Sequence, residues 1–248
     1  MANEKKNAKK NAKMPLIYAH RGASADRPEH TMDAYEEGLR QGADGFECDV
    51  RLTKDNVMVL WHDSTMDRTA GATGDIANLT FNEIRDRYPK VATLDELLDF
   101  VLSNKRGLLI ETKHPVPTSR AIERAVSATL KNRKSEIDKA GIEISVMSFS
   151  WLAIESFKRD NSEFNTVMLL DSKRSRVMRR FSSAQTWGPG IEDLKKNPDI
   201  IPQARSRGKK VFVWTVNESA DVAFCARMGV DTVITNKPAL AREALGYS

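Results

Sequence analysis

Nine short apolar runs punctuate the chain, at residues 16–19, 45–50, 57–61, 108–110, 142–147, 166–170, 184–187, 210–213 and 231–234. Most are continuously apolar rather than alternating, which is how parallel strands buried on both faces read. The stretches between them mostly carry helical spacing. The second and third runs are separated only by the Lys54-Asp55-Asn56 turn, a hairpin-sized gap, so the third run reads as a short extra strand. Eight strand–helix units remain. The expected fold is α/β, a (β/α)8 TIM barrel with a small insertion after the second strand, at about residues 64–89. A doubly wound sheet is the alternative, but no GxGxxG follows the first run.

A length of 248 residues suits one such barrel, with no sign of a second domain or a repeat. The net charge of +5 suggests an acidic partner until its location is considered. Lys5, Lys6, Lys9, Lys10 and Lys13 against Glu4 put +4 of it in residues 1–13, leaving about +1 for the rest. Residues 1–14 are therefore expected to be a disordered basic tail, and residues 15–248 the folded domain. A nucleic-acid partner is not expected. Cys48 and Cys225 lie far apart in apolar contexts without a CxxC pair, so both read as buried thiols in a reducing compartment. No signal peptide or membrane span is legible, and the expectation is a cytoplasmic chain without stable membrane association.

In a barrel, strand C-termini converge on the face that carries chemistry. His20, Arg21, Glu47, Asp49, His62, Glu111, Lys113 and Trp214 all fall at or just past the ends of the apolar runs. Side chains alternate along a strand, so Glu47 and Asp49 share one face of 45–50, while Phe46, Cys48 and Val50 take the other. Glu111 and Lys113 share parity in the same way. Like-charged neighbours at a strand end need something positive between them: a lysine or arginine, or a divalent cation. Three carboxylates and no thiolate make an oxygen site suited to one Mg²⁺ or Ca²⁺. Arg21 and Lys113 can neutralise these acids or grip an anionic substrate such as a phosphate. Two histidines can act as base and acid, so the parts together describe metal-assisted phosphodiester hydrolysis.

The chain also resembles the glycerophosphodiester phosphodiesterase family, of the compact bacterial type. The resemblance rests on His20-Arg21-Gly22, Pro28-Glu29-His30-Thr31, the stretch from Gly42 to Val50, Thr53-Lys54-Asp55, His62-Asp63, Asp67-Arg68-Thr69, Glu111-Thr112-Lys113, Ser148-Phe149 and Trp214-Thr215-Val216-Asn217. It implies a TIM barrel cleaving glycerophosphodiesters to sn-glycerol 3-phosphate and an alcohol. His20 and His62 would be the catalytic pair, and Glu47, Asp49 and Glu111 the metal ligands. Arg21 and Lys113 would contact phosphate, and Trp214 and Phe149 would wall the pocket. One departure stands out: the family usually has Asn where this chain has His30, for which a structural role is expected. The rival readings are a phospholipase D, sphingomyelinase D or lysophospholipase D type of phosphodiester cleavage, and a non-catalytic barrel that binds a phosphate ligand.

Overall fold

The computed structural model describes residues 14–114, 120–171 and 175–247. The expected basic tail lies outside the described residues apart from Met14. Helical spacing predicts a helix from Ser119 to about Lys131; Ser119 lies outside the described residues, and the helix is found at Ala121–Asn132. Nine strands form one sheet: β1 Leu16–His20, β2 Gly45–Leu52, β3 Met58–Leu60, β4 Gly107–Thr112, β5 Ile144–Ser148, β6 Asn165–Leu170, β7 Thr186–Pro189, β8 Lys210–Val213 and β9 Thr232–Thr235. Eight pair in parallel in the order β1-β9-β8-β7-β6-β5-β4-β2, and β1 also pairs with β2, which closes the barrel. β3 is the extra strand, antiparallel to the end of β2 with Val50 opposite Leu60.

Helix starts follow the cap chemistry of the sequence. The Thr31 and Ser150 side chains accept from the amides of Ala34 and Ala153. Thr93 with Glu96, and Thr80 with Glu83, form complete capping boxes. Such a cap contributes about 1 kcal/mol. Two strands begin two residues later than their apolar runs. Ile142 follows a helix at Lys134–Ala140 whose left-handed C-cap is Gly141, and Ala184 sits in a turn where its amide donates to Ser182 Oγ. Apolar character there marks burial beside the sheet rather than pairing within it.

The two faces of β2 have different fates. Phe46, Cys48 and Val50 join an apolar cluster with Tyr35, Leu94, Leu97, Leu98 and Val101 of the surrounding helices. Gly45, Glu47 and Asp49 therefore face the barrel interior. At the N-terminal end of the barrel, Tyr18 lies across Gly45 and Gly107 and joins Leu109, Met147, Val167, Leu169, Phe212 and Ile234 in an apolar plug. At the C-terminal end, the same inward rows carry carboxylates. The insertion after β3 builds its own small core from Met66, Ile76, Leu79 and Ile84 against Val59 and Trp61. Both cysteines are buried and free. Among the described residues, no helix is long and apolar enough to cross a membrane.

Candidate active site

Strand register brings the acids together. His20 is opposite Glu47 across β1–β2, and Asp49 is opposite Glu111 across β2–β4. Ligand oxygens of Glu47, Asp49 and Glu111 lie within 4.8 Å of one another, and all three residues are buried. Lys113 Nζ donates to Glu111 Oε1 at 2.7 Å and stands 3.2 Å from Asp49 Oδ1. Arg21 Nε lies 3.0 Å from Asp49 Oδ2, and its backbone amide donates to Glu47 Oε2 at 3.1 Å. Two cations thus face three carboxylates. Glu47 Oε1 is buried with no hydrogen-bond partner.

The acids do not share this environment equally. Burial by itself would raise Asp49, but the hydrogen bond from His30 and the charges of Lys113 and Arg21 outweigh it and hold Asp49 well below the usual carboxylate range. Burial and the Asp49 charge push Glu111 up to about 8, and they also push Glu47 well above its ordinary value. With three carboxylates against two cations, the cluster is short of positive charge. A divalent cation fits that deficit: all donors are oxygens, they converge, and one buried carboxylate oxygen has no other partner.

Each histidine is held by one ring nitrogen. His20 Nδ1 is 2.6 Å from Asn236 Oδ1, which can only accept, so Nδ1 carries the proton and Nε2 is left bare. Nε2 lies 3.8 Å from Glu47 Oε2. Burial, with Arg21 beside it, lowers His20 to about 4. Asn236 is itself placed by Asn217 Oδ1, which accepts the Asn236 amide at 2.9 Å. His62 Nδ1 is 2.7 Å from Asp63 Oδ1, and Arg51 donates Nε and a terminal nitrogen to the His62 carbonyl at 3.0 and 2.8 Å. Burial lowers His62 as well.

His30 occupies the position where the resemblance leads one to expect Asn. Its φ is +60°, a left-handed conformation that Asn and His adopt more readily than most residues. The ring is buried between Asp49 Oδ2, at 2.9 Å, and the Tyr35 hydroxyl, at 3.0 Å. Gly22 in the preceding turn has φ +81°, and a Cβ there would lie 2.5 Å from the Ala34 carbonyl carbon. Only glycine lets the β1 loop press this closely onto the helix Met32–Arg40.

One pocket is lined by His20, Arg21, Glu47, His62, Glu111 and Lys113, with an apolar wall of Phe149 and Trp214. The two rings meet edge to face at 5.4 Å, and Trp214 Nε1 donates to the Gly188 carbonyl at 2.8 Å. Asp49 lies below, fully buried. All nine site candidates therefore meet at one end of the barrel. His114, two residues past β4, is not among them; its Nε2 pairs with Glu123 at 2.7 Å. Sequence reasoning missed Asn236, Arg51, Asp63 and Arg68 as contributors. Asp63 and Arg68 stood within quoted motifs, whereas Asn236 carried no signal beyond ending a strand.

The pattern defined for the Glycerophosphoryl diester phosphodiesterase family matches residues 20–240. "Probable glycerophosphodiester phosphodiesterase 1" of Mycobacterium tuberculosis is 35% identical over 247 aligned residues, which cover 90% of each chain. The crystal structure of a Thermotoga maritima glycerophosphodiester phosphodiesterase superposes with a TM-score of 0.77 at 25% identity, covering 94% of this chain and 99% of that one. An Oleispira antarctica phosphodiesterase, solved in complex with the product sn-glycerol-3-phosphate, shares the fold with a TM-score of 0.78 at 21% identity, covering 94% of this chain and 97% of that one.

Proposed function

This chain belongs to the glycerophosphoryl diester phosphodiesterase family and is a phosphoric diester hydrolase, and from that premise we propose that it releases sn-glycerol 3-phosphate and an alcohol with His20 as base and His62 as acid. The observation that carries the reading is a single pocket lined by both histidines and both cations, set over the Glu47–Asp49–Glu111 cluster. The product bound to the Oleispira antarctica relative supports the same substrate class.

Glu47, Asp49 and Glu111 would hold one Mg²⁺ or Ca²⁺, which when bound supplies positive charge against the phosphate oxygens. Arg21 and Lys113 face the pocket and bind the remaining phosphate charge. The bare Nε2 of His20 takes the proton of the attacking oxygen, from water or from the substrate's own 2-hydroxyl; attack by the 2-hydroxyl gives a cyclic phosphate, which a water molecule must then open to glycerol 3-phosphate. As the P–O bond to the alcohol breaks, His62 gives a proton to the departing oxygen. Asp63 against Nδ1 opposes the burial that lowers His62 and so supports the charged imidazolium that this step requires. His62 is a third exposed on its side chain, so the alcohol leaves from the open edge of the pocket. Phe149 and Trp214 supply the wall that fixes the glycerol end.

The test is release of glycerol 3-phosphate from a panel of glycerophosphodiesters, with and without EDTA. Product formation that EDTA abolishes and added Mg²⁺ or Ca²⁺ restores is the expected result. Turnover indifferent to EDTA would overturn the metal assignment, and preference for lysophosphatidylcholine over glycerophosphocholine would overturn the substrate.

A further inference from the structure

Seven large apolar side chains are exposed among the described residues, and four of them, Trp151, Leu152, Val177 and Phe181, lie on two helices, Trp151–Asp160 and Ser175–Phe181. Leu152 is 73% exposed, Phe181 59% and Val177 56%. Val177 and Phe181 are four residues apart and so share a helix face. The two helices are joined: Glu155 Oε1 accepts both Trp151 Nε1 and the Ser183 amide, each at 2.9 Å. The Trp151 indole therefore sits beside the turn that follows Phe181. Trp151 and Leu152 come directly after Ser150, close in sequence to Phe149 in the wall of the catalytic pocket.

Around this patch cations outnumber acids. The helix Ser175–Phe181 carries Arg179 and Arg180 in its last turn. Arg180 lies over the Phe181 ring, 5.7 Å from its centroid. Lys158 and Lys209 both direct their ammonium groups at carbonyls between Ser182 and Ala184. Burial, together with the neighbouring charges of Lys158 and Arg207, lowers Lys209, as expected where cations are crowded. The nearby acids are engaged. Glu155 holds Trp151 and Ser183, and Asp160 pairs with Arg120 and Arg159.

We propose that Trp151, Leu152, Val177 and Phe181, with Arg180 and Lys158 beside them, dock this protein reversibly on an anionic lipid surface. Aromatic and aliphatic side chains enter the headgroup boundary, and the surrounding cations meet the lipid charge. Exposed leucine, valine and phenylalanine favour a bilayer over a nucleic acid, which offers no apolar layer to bury them.

The test is co-sedimentation of the full chain with vesicles of phosphatidylcholine alone and with phosphatidylglycerol added. The comparison is with Leu152→Ser/Phe181→Ser and with Arg180→Glu, both of which should hydrolyse soluble glycerophosphocholine at the wild-type rate. The wild type should bind only the anionic vesicles and should be released by salt. The double variant should lose about tenfold or more in partitioning. The basic N-terminal residues remain in every protein, so equal binding by wild type and double variant would assign attachment to them and overturn the proposal. No binding of the wild type to anionic vesicles would also overturn it. So would a concentration-dependent dimer abolished by the double substitution, or binding to single-stranded RNA in place of vesicles.

Discussion

Arg68, in the insertion, grips Glu29 of the β1 loop with two nitrogens on two oxygens, at 3.0 and 2.6 Å. Its Nε also holds Asp63 Oδ2 at 2.5 Å, and Asp63 holds His62. Glu29 in turn lies 3.3 Å from Arg21. One side chain thus ties the proposed acid to a proposed phosphate ligand. Arg68 is half exposed, so the pair contributes at most about 1 kcal/mol to stability. Its effect on geometry is larger, since misplacing a catalytic group by about 1 Å can cost about 10²-fold in rate. Arg68→Ala should lower kcat by up to that factor while Tm changes little. Arg68→Lys should not restore it, because an ammonium lacks the planar fork. A kcat loss no larger than the stability loss would show the fork to be ornamental to catalysis.

His20→Ala and His62→Ala should each lower kcat by about 10²- to 10⁴-fold and leave a folded barrel. Asn236→Ala should lower kcat less than His20→Ala does, because it removes the partner of Nδ1 and not the base. Steady-state kinetics beside circular dichroism checks all three. Near-wild-type turnover in either histidine variant would reject the acid–base pair.

The acid cluster has a pH signature. Glu111 is pushed up to about 8 by burial and by Asp49, whereas an unfolded glutamate titrates near about 4.3. Between those values the metal-free folded chain binds a proton that the unfolded chain has released. Its stability contribution is therefore complete at low pH and is lost as pH rises through about 8. In EDTA, Tm should fall between pH 6 and pH 8 more steeply than in Glu111→Gln. Added Mg²⁺ or Ca²⁺ must displace that proton, so its stabilisation should grow over the same interval. Parallel Tm curves for wild type and Glu111→Gln in EDTA would contradict a proton shared in this cluster.

The barrel and the strand-end placement of eight of the nine candidates were legible because both depend on local rules, whereas Phe149 entered only through the family resemblance. Continuous apolar runs mark doubly buried strands, and parity puts Glu47 with Asp49 and Glu111 with Lys113 on inward rows. What escaped the sequence depends on packing between distant segments. Asn236 meets His20 across 216 residues, and only closure of β9 onto β1 brings them together. The helix at Lys134–Ala140 is short and has little apolar periodicity, so its 142–147 neighbour read as strand two residues early. His30 shows both limits: its left-handed turn suits the position where the resemblance leads one to expect Asn, but its bond to Asp49 is set by packing between the β1 loop and β2.

The apolar end of the barrel gives a prediction independent of chemistry. Tyr18 fills the space that Gly45 and Gly107 leave at the strand starts. A Cβ on Gly107 would lie 2.0 Å from the Tyr18 hydroxyl and 2.8 Å from Cζ. The ring is 5% exposed and packed among Leu109, Val167, Phe212 and Ile234, so it has little room to retreat. Forcing one methyl into such a core costs about 1–3 kcal/mol. Gly107→Ala should lower the urea midpoint accordingly, and Tyr18→Leu should relieve part of the cost in a double-mutant cycle. Glu111 sits at the other end of the same strand, so activity per folded molecule should hold. If Gly107→Ala and Tyr18→Leu destabilise additively, the glycine does not exist to seat the tyrosine.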